Sequence, residues 1–301
     1  MTSQLKIVIS GASGLIGKPL VANLRKHGHQ VTNLVRRSPN THESQWDPAA
    51  GKIDECIINS ADVVINLSGA GIGDRRWTSS YKREILESRI MSTSLLANTI
   101  ASVASKPAVF LSGSAIGIYG PCGDEVLTES SNLGTSFLAD VCAQWEAATK
   151  PTSAAGVRTV LLRTGIVLTP AGGALRKQLP LFKLGLGGKF GNGKQWQSWI
   201  SLDDEIAAIE HLLTANVSGP VNLTAPNPIT NAEFASTLGR VLKRFAKLPV
   251  PTIFPKALLG SELADALLFT GQRVVPDALQ KSNFVFRHNS IDIALRVLLN
   301  K

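Results

Sequence analysis

Lys6-Ile7-Val8-Ile9-Ser10 runs directly into Gly11-Ala12-Ser13-Gly14-Leu15-Ile16-Gly17. The first five residues form a short apolar, β-branched run, the pattern of a strand. The next seven space three glycines three residues apart. The first lets the chain turn sharply off a strand. The second lets the backbone approach a pyrophosphate, and the third lets a helix pack closely on the sheet. Residues 14–27 continue with helical periodicity through Leu15, Val21 and Leu24, and Gly28 closes that helix. A helix starting here aims unpaired N–H groups and its positive dipole end at phosphate. Gly11, Ala12, Ser13, Gly14, Leu15, Ile16 and Gly17 are therefore the expected dinucleotide-binding loop.

Outward from this turn, strand and helix patterns alternate. Residues 30–36 form the second expected strand, the stretch around Gln45 and Trp46 a weak third, and residues 62–67 a strong fourth. A long helix is expected over residues 79–104, a fifth strand over 108–112, a helix over 137–155 and a sixth strand over 157–167. Such alternation predicts an α/β protein: a Rossmann-type, doubly wound parallel sheet with helices on both faces. Beyond Leu168 the chain becomes richer in glycine, with a helix expected over 203–215, a strand over 221–224 and a capped helix over 231–243. Residues 1–168 are thus expected to form the dinucleotide-binding domain, with 221–224 joining its sheet. Residues 169–301 are expected to be mainly a smaller substrate lobe over the sheet's C-terminal edge, where ligands of open parallel sheets bind.

The end of the second strand selects the cofactor. NAD binders place an acid there for the ribose 2′-hydroxyl. This chain has Leu34-Val35-Arg36-Arg37-Ser38. Arginine pairs well with phosphate, so NADP(H) is favoured over NAD(H); the other reading makes Arg36 and Arg37 solvated turn residues. Trp46 either lies against the adenine or belongs to the core.

Composition narrows the function classes. The 301 residues are 44% hydrophobic and 18% charged, an ordinary globular mix. No stretch approaches the roughly 18 apolar residues of a spanning helix. The first strand starts by Leu5, so no targeting segment is expected and the expected location is cytoplasmic. A net charge of +9 is spread over short pairs rather than one basic run, which disfavours nucleic acid and suits a phosphate-bearing ligand. Cys56, Cys122 and Cys142 have no metal-ligand spacing, and the histidines at 27, 29, 42, 211 and 288 are scattered, so no metal is expected. Asp203, Asp204 and Glu205 are assigned to capping and the dipole of their helix.

The chain resembles the extended and atypical short-chain dehydrogenase/reductases, most of all the epimerase-family branch (NAD-dependent epimerase/dehydratase-like) that carries a C-terminal extension. The matching stretches are residues 11–17, Asn66-Leu67-Ser68-Gly69, Arg76-Trp77-Thr78, Ser88-Arg89, residues 112–120, Trp145-Glu146, and residues 163–168, 185–188, 199–204 and 224–234. Residues 268–276, with Gly271-Gln272-Arg273, match the extension, expected from about residue 250. The resemblance implies a nicotinamide cofactor. It also implies a second class of function, because some cyanobacterial and plastid relatives are regarded as cell-division inhibitor homologues. Such a protein would sense the cofactor and present a surface to a protein partner.

Reductases of this superfamily use a Ser or Thr, a Tyr and a Lys. Ser114 falls on the serine position at the end of the fifth strand. A register anchored on Glu146 puts Leu138 at the tyrosine position and Cys142 at the lysine position. The only tyrosines are Tyr81 and Tyr119, so Tyr119, Ser114 or a water replaces the usual proton donor, or the standard reaction is not performed. If the protein is a catalyst, Ser114 and Tyr119 are the expected pair, Tyr119 folding its hydroxyl back beside Ser114. Asn66, Ser68, Gly69 and Ala70 are expected close to the nicotinamide half, and Leu67 and Ser112 are also expected to bind the cofactor. Arg89 reaches a phosphate or ribose, or is solvated; Arg163 holds substrate or cofactor. Residues 185–193 with Gln195, Trp196 and Trp199 either form the opposite wall, for an apolar substrate portion, or a stiff loop with core aromatics. The expected activity is NADP(H)-dependent oxidoreduction or epimerisation of a small carbonyl or sugar-like substrate.

Overall fold

The computed structural model describes residues 4–246 and 248–301. The first five expected strands form β1 (Lys6–Ser10), β2 (Gln30–Val35), β3 (Glu43–Gln45), β4 (Val63–Asn66) and β5 (Val109–Ala115), of which β3 is the polar run Glu43-Ser44-Gln45. Strands Arg158–Thr164 and Gly219–Leu223 complete a seven-stranded sheet. Its order is Gly219–Leu223, Arg158–Thr164, β5, β4, β1, β2, β3, and every pairing is parallel.

Both faces are covered by helices α1 (Gly17–Lys26), α2 (Glu55–Asn59), α3 (Ser79–Ser102) and α4 (Phe137–Ala147), and by helix Leu202–Thr214. Successive side chains of a strand point to opposite faces, so β1 feeds two cores. Ile7 and Ile9 pack with Leu20 and Leu24 of α1 and with Ile209 and Leu212. Val8 packs with Ile58 of α2 and Leu96 and Ile100 of α3. Burial on both faces is why these strands are apolar runs without alternation.

The chain moves outward from β1 to β2 and β3, then returns to β4 on the other side of β1. The strand order therefore reverses between β1 and β4, where Ser10 is in register with Asn66. That crevice, at the carboxyl ends of the strands, is where an open α/β sheet binds ligands.

The second half does not form a lobe alone, since Leu202–Thr214 and Gly219–Leu223 return to the sheet. The lobe has its own core, including Leu175, Leu179, Phe182, Trp199, Phe234 and Leu295. The strand expected over 157–167 breaks at Gly165. A Cβ at Gly165 would lie 2.5 Å from Ser198 O, and Ile166–Leu168 then pairs with Trp199–Ser201 instead. The helix expected over 137–155 is likewise two, Phe137–Ala147 and Lys150–Ala154. Pro151 opens the second, the one part of a helix that tolerates proline. Far along the chain, Arg273–Val274 pairs with Val126–Leu127, laying the C-terminal segment across the sheet's carboxyl edge.

Candidate functional site

The glycine turn is shaped by close approach. Gly11 has φ +74, and a Cβ on it would lie 2.6 Å from the Leu67 carbonyl. A Cβ on Gly17 would collide with Gly11 O. Helix α1 has no side-chain cap and no acidic residue in its first turn, which leaves its first N–H groups to an anion. Leu15 extends from the turn to touch the lobe at Gly172 and Gly173.

At the end of β2 the two arginines have different fates. Arg37 is held in a fork by Glu43, at 2.8 Å on each oxygen, and donates to Ser38 O. The hydrogen bond and charge of Glu43 raise its pKa. Arg36 is exposed and, among the described residues, takes no side-chain hydrogen bond or ion pair. Of the two readings of Trp46, adenine contact and core residue, the structure has the core one. It is 4% exposed and packs with Val8, Leu34 and Val64, offering no ring face to a base.

Buried polar groups lie beneath the switch point. Asn66 Oδ1 accepts from Ser10 Oγ at 2.6 Å and from Ser68 N at 3.1 Å. Its Nδ2 donates to Thr93 Oγ1, which also accepts from Trp145 Nε1. These bonds tie the end of β4 to α3 and α4. Ala70 N donates to Ser88 Oγ. Ser112 is buried and its hydroxyl has no partner among the described residues. Arg89 is not a solvated helix residue: it is 7% exposed, its guanidinium over the Trp145 ring and against Gly69.

Ser114 and Tyr119 belong to one network but do not face each other. Ser114 Oγ donates to Glu146 Oε1 at 2.6 Å. Glu146 also accepts from Arg163 Nε and Nη2 at 2.8 and 2.9 Å. Arg163 Nη1 donates to the Tyr119 hydroxyl, which donates to Asn222 Oδ1 at 2.7 Å. Burial opposes the charge on Arg163, but the bonds and charge of Glu146 outweigh it and raise its pKa. The expectation that Tyr119 folds its hydroxyl back beside Ser114 is therefore corrected: the hydroxyl is turned to Arg163 and Asn222. The side chain is 1% exposed, packed among Leu127, Cys142 and Val274 of the C-terminal segment. Burial raises its pKa, against the lowering effect of Arg163 and Asn222, so the phenol stays neutral. Arg163 donates within the protein to Glu146, the Tyr119 hydroxyl and Glu129 O.

The other tyrosine, Tyr81, donates to Gly71 O. Cys142, at the lysine position, is pushed up to about 12 by burial and is an uncharged thiol. Of the expected lobe wall, Trp199 is core and donates to Asn227 O. Trp196 lies under Arg273, at 4.3 Å, and donates to Asp124; Gln195 donates to Leu268 O. A cleft of about 310 Å³ opens nearby, with Tyr119, Gly120, Pro121, Glu125, Asn132 and Thr135 in its lining. Sequence reasoning gave no role to Asn222, Thr93 or Glu146, although Trp145-Glu146 marks the stretch. Among the described residues no helix is long and apolar enough to cross a membrane, and no three His, Cys, Asp or Glu side chains cluster as metal ligands.

Comparison with known proteins gives a consistent pattern. The model of the NAD dependent epimerase/dehydratase family matches residues 7–224, and a domain of unknown function (DUF1731) matches residues 250–298. Epimerase family protein Mb2239 of Mycobacterium bovis is 45% identical over 96% of this chain and 96% of its own length. Human epimerase family protein SDR39U1 is 34% identical over 98% of this chain and 100% of its own. The crystal structure of human SDR39U1 (isoform 2) with NADPH superimposes with a TM-score of 0.90 at 32% identity, covering 99% of this chain and 100% of that one. A nucleoside-diphosphate sugar epimerase from Corynebacterium glutamicum gives 0.79 at 38% identity, covering 99% of this chain and 58% of that one.

Proposed function

The chain belongs to the NAD dependent epimerase/dehydratase family, and from that we propose that it is an NADP(H)-binding, atypical short-chain dehydrogenase/reductase acting as an oxidoreductase or epimerase on a small carbonyl or sugar-like substrate. The cradle fits the cofactor: close-approach glycines and the uncapped start of α1 suit a pyrophosphate. The solved human relative with NADPH supports the same choice. When bound, the nicotinamide supplies or accepts a hydride. Leu67, Ser68, Gly69, Ala70 and Ser112 are the residues proposed along its half of the cofactor. Ser114 directs its proton to Glu146, which leaves oxygen lone pairs to accept from a substrate hydroxyl. It is thus proposed to orient substrate, with Arg163 and Glu146 fixing its rotamer.

The observation that carries the cofactor choice is the unpaired Arg36 beside the paired Arg37. Replacing Arg36 with alanine should weaken NADPH by roughly ten- to a hundredfold, the equivalent of about 1.5–3 kcal/mol for a charge-assisted contact. NADH should change little. Fluorescence titration of the two cofactors checks this; equal losses would assign Arg36 to the fold or the pyrophosphate. If the wild-type protein bound neither cofactor at millimolar concentration, the enzyme proposal would be lost.

A second proposal, a cofactor-sensing binding protein with a protein partner, is favoured by one observation. Both tyrosines have their hydroxyls engaged inside the protein. Cofactor binding without turnover across a panel of aldehydes, ketones and sugar carbonyls would favour it; steady NADPH oxidation with any of them would remove it.

A further inference from the structure

Arg89 is a buried cation without a counter-ion. It is 7% exposed, and among the described residues no carboxylate pairs with it. A guanidinium carries five N–H donors, and among the described residues only Nη1 has an acceptor, Ile85 O at 2.9 Å. The titratable groups facing it are Cys142 of α4 and Tyr81 of its own helix, both with raised pKa values and therefore uncharged. Burying a charge unpaired is costly enough that proteins rarely do so without a ligand to complete the site.

The position indicates which ligand. Gly11, at the pyrophosphate turn, abuts the Leu67 carbonyl. Two residues on, a Cβ at Gly69 would lie 3.1 Å from Cγ and Cζ of Arg89 and 3.3 Å from Nε. Beyond Gly69 the guanidinium covers the Trp145 ring at 5.0 Å, next to Cys142. A dinucleotide running along this edge from the glycine turn brings its second ribose, a vicinal diol, to the group beside Gly69. We propose that Arg89 clamps this nicotinamide-side ribose, its free N–H groups donating to the two hydroxyls. The cation comes from α3, while the α4 position expected to carry lysine holds the neutral Cys142. This rests on the NADP(H) proposal. The clamp holds and orients the cofactor, and because a guanidinium keeps its proton it contributes no acid or base.

Three probes separate the parts of the cofactor: NADPH, 2′-phospho-ADP-ribose, which keeps the second ribose, and 2′-phospho-ADP, which keeps the pyrophosphate but lacks that ribose. Calorimetric titration of an Arg89→Gln variant should show roughly ten- to a hundredfold weaker binding of the first two, and less than about a twofold change for 2′-phospho-ADP. Arg89→Lys should lie between variant and wild type, which guards against a folding defect. The free Arg89→Gln protein should melt no lower than wild type, since the charge it loses is unpaired. Unchanged affinity for NADPH, as expected if Arg89 serves a substrate anion, overturns the proposal. So does an equal loss for all three probes, which would place Arg89 at the pyrophosphate or in the fold. Failure of the wild-type protein to bind NADPH would instead remove the cofactor proposal beneath it.

Discussion

Between pH 5 and pH 8 the wild-type protein should lose on the order of 4 kcal/mol of stability that a Glu205→Gln variant keeps. Glu205 is fully buried in helix Leu202–Thr214. One carboxyl oxygen accepts from Thr164 Oγ1 at 3.0 Å, and the other has no partner among the described residues. Burial pushes its pKa from 4.5 up to about 8, against the lowering effect of the Thr164 bond. Below the lower value both folded and unfolded chains hold the proton, and the contribution is fully present. Above it the unfolded chain ionises while the folded one cannot, so stability falls as pH rises and the loss is complete near the folded pKa. The slope is about 1.4 kcal/mol per pH unit. Glutamine retains the shape and the acceptor for Thr164 but never ionises. Urea unfolding at several pH values measures both proteins, and all other groups cancel in the difference. Equal slopes would show that Glu205 is ionised in the fold.

Glu205 also shows where sequence reasoning stops. Three acids opening a helix suit the dipole, and Ser201 does cap it. Yet Ala208, Ile209 and Leu212 lie three, four and seven residues after Glu205 and are all buried, the spacing of a core-facing stripe. That signal was available. Asp204 shares the buried side and accepts from Arg287 N and His288 N, which pins the distant C-terminal segment.

The glycine turn was legible because it is local: strand, turn and helix occupy consecutive residues, and their spacing carries the geometry. The difference between Arg36 and Arg37 was not, because it depends on β3 pairing with β2 and presenting Glu43 to only one of them. Tyr119 was illegible for a longer-range reason. Val274 covers it and the Val275 carbonyl accepts from its partner Asn222, both contacts arriving from the C-terminal segment. Sequence distance hid them. Trp46 and Trp199 followed size and apolarity into cores, where a large indole gains most from burial.

Replacing Arg163 with methionine should destabilise the protein by about 3–5 kcal/mol, the usual consequence of leaving one member of a buried ion pair behind. The side chains of Arg163 and Glu146 are 5% and 11% exposed and meet through two nearly parallel hydrogen bonds. Methionine fills much of the same volume, so the loss comes chiefly from the carboxylate left with Ser114 as its remaining side-chain donor. The same change removes a donor from the Tyr119 hydroxyl. A double variant, Arg163→Met with Glu146→Gln, removes the stranded charge and should recover at least about 2 kcal/mol of the loss, because contacting residues couple rather than add. Guanidinium unfolding of the wild type, the two single variants and the double variant closes the cycle. Additive losses would mean that the pair contributes through packing alone, and the fixed orientation of Ser114 would then need another cause. A large coupling would instead tie the serine at the end of β5 to an ion pair anchored on α4 and on strand Arg158–Thr164. The double variant should then bind NADPH like the wild type while losing the defined rotamer of Ser114, since glutamine without Arg163 no longer presents a fixed charged acceptor to that hydroxyl.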